Sequence, residues 1–230
     1  MLSWFKPAFT AFMTLAAGSA VMLFPASDAR AQSSSLGINT EMRTPVSGEV
    51  LERISRRLQG GEVFQAQMQH HFRDSFTGDE VTTDGRVWVS ADGYKIITEL
   101  QHISVQGDVS TVFNLAEGKV IISTYYPEDD DFAPSRLLGS YDDRFELVSV
   151  ETPERGMREV RLASADPFEV ITSARLLIAQ SEALPKAMFA EDQTGNTYET
   201  RFDDGQFLPA GEVEFRLEWP KDAEVIDLRD

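Results

Sequence analysis

Two stretches, FQAQMQHHF at residues 64–72 and GRVWV at residues 85–89, decide the fold of this chain. In the first stretch, apolar side chains occupy every second position. An extended strand with this spacing has one apolar face and one face of glutamine and histidine. The second stretch has the same alternation, so the sequence predicts two neighbouring β-strands here.

The same alternation continues through most of the chain and predicts an antiparallel meander. The Asp84-Gly85, Asp92-Gly93, Gln106-Gly107 and Glu117-Gly118 pairs each supply a residue that tolerates positive φ, and they mark predicted turns. The strand-length runs are 81–90, 94–100, 109–115, 120–125, 144–150, 157–163, 168–178, 186–192, 197–202 and 213–219.

Two short helices are predicted to lie over the sheet. Thr44 can cap the first helix and Pro45 can start it. Its apolar stripe consists of Val46, Val50, Leu51, Ile54 and Leu58, and it ends at Gly60-Gly61. The second helix begins at Pro134, places Leu137 and Leu138 toward the sheet, and ends at Gly139.

Several predicted strands are apolar on both faces, whereas a sheet with one solvent-exposed face would have polar residues on that face. Val87 lies beside Trp88 in the sequence, and Ile96 lies beside Ile97. Either the sheet closes around a packed core, or one of its faces lines a cavity beneath the helices.

The first 31 residues read as a cleaved secretory signal with Lys6, an apolar stretch and an Ala29-Arg30-Ala31 cleavage site. A membrane anchor is the alternative, but a span needs about 20 apolar residues, and Pro25 ends this stretch early. We therefore expect a signal at 1–31, a polar tail at 32–43 and a single domain at 44–230. The expected location is the periplasm, in soluble form.

Composition excludes several classes of chemistry. The chain has no cysteine, so it can form neither disulfides nor thiolate metal sites. Its formal charge is −17, which disfavours binding to nucleic acid or to anionic lipid headgroups.

No catalytic, cofactor or metal motif stands out in the sequence. His70 and His71 are adjacent and point to opposite faces of a strand, so they cannot share one metal ion. The acidic run at residues 129–131 lacks the alternation of a calcium loop. Serine nucleophile motifs and phosphate-binding loops are missing too. We therefore expect a binding protein with no cofactor, no metal and no catalytic residue.

The motif Phe64-x-Ala66-x-Met68-x-His70, followed by Gly85-x-Val87-Trp88-Val89, resembles the opening of the LolA-like periplasmic lipoprotein carriers. Residues 103–114, 126–130, 134–138 and 215–228 are similar to the family's hairpin, lid and closing segments. The resemblance implies a strongly curved, incomplete antiparallel β-barrel covered by α-helices, with an internal hydrophobic cavity.

The resemblance also implies the function. A LolA-like carrier would bind the acyl chains of lipidated proteins, receive them from an inner-membrane lipoprotein-releasing complex and pass them to an outer-membrane acceptor, acting as a monomer. The residues expected to contact acyl chains are Phe64, Met68, Phe72, Trp88, Ile96, Phe113, Leu137 and Leu138, and those on the covering helix are Leu51, Ile54 and Leu58.

One position departs from the family pattern. Better-known members have an arginine after the Trp-Val motif that controls lid opening, whereas Ala91 stands there in this chain. An arginine-latched lid is therefore not implied here.

Two other functions remain open from the sequence. A periplasmic sensor or adaptor on the same scaffold would use the acidic loop Glu128–Asp131 to dock a basic partner. An enzyme acting on lipids or glycans would need a carboxylate with a perturbed pKa inside the cavity.

Overall fold

The computed structural model describes residues 49–130, 133–139, 145–164, 166 and 168–229. The predicted signal, the polar tail and the start of the first helix, including Val46, lie outside the described residues. The helices are α1 (Glu49–Gln59) and α2 (Pro134–Gly139). The strands are β1 (Glu62–Arg73), β2 (Glu80–Val89), β3 (Gly93–Thr98), β4 (Gln101–Gln106), β5 (Val109–Asn114), β6 (Lys119–Thr124), β7 (Phe145–Glu151), β8 (Met157–Ser164), β9 (Ile171–Ala179), β10 (Leu184–Asp192), β11 (Thr197–Pro209) and β12 (Glu224–Asp227).

All twelve strands form one curved, unclosed sheet in the order β12-β6-β5-β4-β3-β2-β1-β11-β10-β9-β8-β7. Neighbouring strands are antiparallel except β12, which pairs in parallel with β6 at one edge. The predicted fold class is confirmed: the chain is mainly β and forms an incomplete antiparallel barrel covered by helices. Within the described part of the chain, no helix is both long enough and apolar enough to cross a membrane.

The alternation in β1 sets the two faces of the sheet. Phe64, Ala66 and Met68 are buried, whereas Gln67 and Gln69 are exposed. The register carries this pattern across the sheet, since Phe64 lies opposite Val89 of β2, which in turn lies opposite Tyr94 of β3. We call the face that carries Phe64 the inner face and the other one the outer face.

Helix α1 packs on the inner face through Val50, Leu51, Ile54 and Leu58, all at most 7% exposed. Their spacing of three and four residues places them on one side of the helix. The helix ends at Gln59, and the turn after it contains Gly61, whose φ of +84° is a conformation that glycine adopts at little cost. The short turn that follows leads directly into β1.

The predicted strand at residues 213–219 is wrong. This segment forms no ladder but crosses the outer face of the sheet, where Lys95 Nζ and Ser104 Oγ donate hydrogen bonds to the carbonyls of Glu214 and Phe215. Its alternation buries Phe215 and Leu217 beneath it. Alternation of apolar and polar residues indicates an extended segment with two different faces. It does not indicate whether the backbone of that segment pairs with a neighbouring strand.

Two further strand predictions need correction. Asp84-Gly85 is not a turn but lies inside β2, where Gly85 faces Thr98 of β3. The predicted strand at 94–100 ends earlier, at Thr98, and β4 follows after a tight connection at Glu99 and Leu100. This connection contains no glycine, so the sequence gave no turn signal between β3 and β4.

Candidate functional site

The inner face brings together most of the predicted acyl-binding residues. Phe64, Met68, Ile96 and Leu138 are each at most 7% exposed and belong to one apolar cluster with the covering-helix residues Leu51, Ile54 and Leu58. In this conformation α1 and Leu138 pack directly against the sheet. The site is therefore an apolar surface with a helical cover in contact with it.

Phe72 lies on the inner face but away from α1. Its ring packs 5.3 Å from the ring of Tyr198, in a smaller cluster with Ile171 and Ala190. A second apolar cluster thus lies on the inner face beyond the helical cover, toward the end of the sheet where β1 turns into β2.

Trp88 and Phe113 lie on the outer face and are not part of this site. Trp88 Nε1 donates to Gln65 Oε1 at 2.8 Å, and the ammonium of Lys95 lies 5.4 Å from the centre of the Trp88 ring. Phe113 packs edge-on against His102, on the face that the C-terminal segment crosses. Because β2 has apolar residues on both faces, the sequence alone could not show which face of the sheet carries Trp88. The side chain of Leu137 lies outside the described residues.

The far half of the sheet adds inner-face residues that the sequence did not single out as site residues. Met188 of β10 lies opposite Leu176 of β9, which lies opposite Val160 of β8, and all three belong to the same cluster as α1. Phe202 packs edge-on against Phe64 at a ring distance of 5.5 Å. The alternation in β8 to β11 was visible in the sequence, but only the register shows that these strands continue the surface of β1.

A buried acid secures the segment that carries α2. This lid segment comprises residues 127–130 and 133–139. Asp130 is fully buried, and its Oδ2 accepts hydrogen bonds from Tyr94 Oη at 2.6 Å and from Tyr125 Oη at 3.1 Å. We call these three residues the tyrosine latch. Burial and the nearby Asp130 carboxyl raise the pKa of both tyrosines, so both stay protonated and keep donating.

The lid segment also holds its own shape. The Arg136 guanidinium of α2 donates to the carbonyls of Pro127 at 2.8 Å and Asp130 at 2.9 Å. Within the predicted acidic loop, Asp130 points into the protein and is not available to an external basic partner, whereas Glu128 and Asp129 are exposed. Asp131 lies outside the described residues.

A pocket of about 880 Å³ opens beside the lid segment. It is lined by the turns at 90–93 and 106–107 together with Tyr125, Arg136 and Phe215. Ala91, at the position of the family's latch arginine, lies in this lining. Ala91 has no polar side chain that could hold the lid segment. The polar contacts to the lid segment come from Tyr94 and Tyr125.

Helix α1 is attached by polar contacts on its other side. Arg53 donates to the carbonyls of Gln180 and Ser181, and Arg57 forms a bidentate pair with Glu62 at 2.7 and 2.8 Å. These contacts are exposed or partly exposed, and surface pairs of this kind contribute little to stability.

His70 is buried on the inner face, and its Nδ1 lies 2.9 Å from Thr200 Oγ1. Burial, together with the neighbouring His71, lowers the pKa of His70 to about 4. No cluster of three or more histidine and acidic residues that could hold a metal ion occurs in the part of the chain that the structure describes.

No family model and no curated protein matches this sequence. Among solved structures, an uncharacterized conserved protein from Thermus thermophilus is similar with a TM-score of 0.51 and 14% identity, over 78% of this chain and 97% of that chain. A putative outer membrane lipoprotein-sorting protein domain from Vibrio parahaemolyticus is 13% identical, with a TM-score of 0.40 over 70% of this chain and 92% of that one. A LolA superfamily protein from Nitrosomonas europaea is 13% identical, with a TM-score of 0.37 over the same shares of 70% and 92%. The similarity to the Thermus thermophilus protein, over most of both chains, shows a shared fold.

Proposed function

We propose that this protein is a periplasmic carrier that binds the acyl chains of lipidated proteins on its inner face, beneath α1 and the lid segment. The observation that carries the proposal is an apolar surface running from β2 through β1 to β8 under a cover of two short helices. The cover packs on this surface through apolar side chains and has few polar attachments, so we expect it to be displaced without unfolding the sheet.

Exchange between helix and acyl chain explains how such a carrier both holds and releases its cargo. Each buried methylene contributes about 0.8 kcal/mol, so a long acyl chain gains several kcal/mol on this surface. The side chains of Leu51, Ile54 and Leu58 return to the same surface when the chain leaves. Part of the binding free energy is therefore offset by displacing α1, and net affinity stays moderate enough for transfer to a tighter acceptor.

The periplasmic location and the route from inner to outer membrane rest on the predicted signal and on the sequence resemblance. The cover is attached at two places, through Arg53 and Arg57 of α1 and through the tyrosine latch, and partner proteins can act on either. A donor or acceptor protein that competes for Arg53 or loosens the tyrosine latch would open the inner face.

Site-specific photo-crosslinking tests the proposal with a matched pair of neighbours. Met188 points to the inner face, and Phe189, the next residue of β10, points to the outer face with Arg175 stacked 3.8 Å from its ring centre. A photoreactive amino acid replaces each residue in turn, and the chain is co-expressed with a triacylated lipoprotein.

We expect acyl-chain adducts from position 188 and none from position 189. Equal crosslinking at the two positions would mean non-specific contact. No acyl adduct at position 188, in protein purified without detergent, would contradict the carrier function.

A further inference from the structure

One end of the sheet exposes apolar side chains on successive hairpin connections. We call this the tip end; it consists of the connections at 74–79, 99–100, 115–118, 166 with 168–170, and 193–196. Phe76 is 96% exposed and Phe168 is 87% exposed, and Leu100, Leu115 and Val170 are exposed on the same row of connections. The lid segment and the turn that follows α1 lie at the opposite end of the strands.

The two phenylalanines are presented by the same local structure. The backbone N–H of Phe76 donates to Asp74 Oδ1 at 2.8 Å, and that of Phe168 donates to Asp166 Oδ1 at 2.8 Å. In each case an aspartate two residues earlier closes a turn that directs the chain outward.

Both phenylalanine turns are attached to the β10–β11 turn between them. Ser75 N–H donates to Asn196 Oδ1 at 2.9 Å, and Gln193 N–H donates to the Val170 carbonyl at 2.9 Å. The middle turn is itself organised by Asp192, whose carboxylate accepts from the backbone N–H of Asn196 at 3.0 Å. The two rings are therefore held on a braced platform, which reduces the entropy lost when they bind.

The spacing and charge of the tip end favour one kind of surface. The apolar residues stand on separate connections along a row, which suits a broad surface better than a single pocket. Acidic side chains accompany them, including Asp74, Asp79, Asp166 and Glu169, and the whole chain has a formal charge of −17. These acidic side chains repel anionic lipid headgroups, whereas zwitterionic headgroups carry no net charge and are not repelled.

The tip end is also continuous with the inner face. Phe72 and Tyr198 lie on the inner face where β1 and β11 reach the tip end, outside the cluster that α1 covers. A hydrocarbon chain at the tip end would meet the rings of Phe72 and Tyr198 first, and the buried His70 lies between these rings and Met68.

We propose that the tip end docks on the surface of a zwitterionic lipid bilayer, with Phe76 and Phe168 inserted at the headgroup level. This inference rests on the proposed carrier function for its purpose, since a carrier of acylated cargo works next to membranes. The docking itself is a separate property and can be measured without cargo.

Co-sedimentation with phosphatidylcholine vesicles tests the docking. We expect the wild-type protein to bind and the Phe76→Ser/Phe168→Ser double variant to lose at least about tenfold in partition coefficient, because two exposed aromatic anchors are gone. Val148→Ser is the matched control: Val148 is 60% exposed on β7, away from the tip end, and its loss should change binding less than about twofold. Phosphatidylglycerol added to the vesicles should weaken binding at low salt.

The absence of cysteine allows a second readout of insertion. A Phe168→Cys variant labelled with an environment-sensitive fluorophore should shift its emission to the blue on vesicles, and a labelled Val148→Cys variant should not. Equal binding of the wild type and the double variant, no binding to phosphatidylcholine, or binding only when a membrane protein is present in the vesicles would each overturn the proposal.

The two proposals fail separately. If the double variant still gives acyl adducts through position 188 in detergent-free solution but no longer binds vesicles, both proposals stand. If the wild type binds vesicles through Phe168 yet gives no adduct at position 188, docking stands and the carrier function falls.

Discussion

The hydroxyl of Tyr94, on β3, donates a 2.6 Å hydrogen bond to the buried carboxyl of Asp130 in the lid segment. This bond joins a residue in the middle of the sheet to a segment that follows β6 by only a few residues. Since Tyr125, directly after β6, donates to the same oxygen, the lid segment is held from two strands through one carboxyl group. The tyrosine latch therefore joins the lid segment to the sheet through two hydroxyl donors on one carboxylate oxygen.

Removing one latch hydroxyl should loosen the lid segment while leaving the sheet intact. In Tyr94→Phe the ring is retained and one donor to Asp130 is lost, so we expect about 1–3 kcal/mol less stability for the closed lid. Hydrogen exchange of the backbone amides at 135–139 should accelerate by more than about tenfold, while amides of β1 keep their protection. Tyr126→Phe is the control, since Tyr126 is 55% exposed; acceleration equal to that in Tyr94→Phe would contradict the latch.

Acid sensitivity is expected from His70. Its pKa is about 4 in the folded chain against an ordinary value of 6.5, so the unfolded chain takes up a proton that the folded chain does not. The corresponding stability is complete above pH 6.5 and declines as the pH falls toward about 4, by about 3 kcal/mol in all. Urea unfolding at a series of pH values measures this slope.

Replacing the imidazole should flatten that pH dependence. In His70→Gln the free energy of unfolding should vary less between pH 6.5 and 4 than in the wild type. His71→Gln removes only the smaller cause of the lowered His70 pKa and should keep most of the wild-type slope. A wild-type slope retained in His70→Gln would show that another group controls acid unfolding.

Gly85 should be intolerant of any side chain. A Cβ at this position would lie 2.5 Å from the carbonyl oxygen of Ile97 in the next strand, so β2 and β3 would have to separate. We expect Gly85→Ala to lower the free energy of unfolding by more than about 2 kcal/mol. Gly211→Ala is the control, because a Cβ there meets no atom within 4 Å, and thermal unfolding of the two variants should differ clearly.

The sequence allowed the candidate site to be predicted in part. Phe64, Met68, Ile96 and the α1 leucines were expected on one apolar surface, and they share one cluster. Trp88 and Phe113 were expected there too, but they lie on the outer face. β2 and β5 carry apolar residues on both sides, so only the pairing partners decide which side faces the helices.

Gly85 shows a second kind of limit. An Asp-Gly pair is a turn signal in isolation, yet here the glycine serves the close approach of two strands. Asp130 shows a third: in a run of acidic residues it looks solvated, and its burial becomes evident only when strands β3 and β6 bring Tyr94 and Tyr125 to it.

The amino-acid pattern by itself determined that the chain is an antiparallel β protein with amphipathic helices, because strand and helix periodicities are local properties of the side chains. The tertiary structure alone decided which face is covered, where residues 213–219 lie, what holds the lid and how the hairpin connections align at the tip end. Each of these depends on groups far apart in sequence. Burial and hydrogen bonding between such groups are set by the register and curvature of the whole sheet.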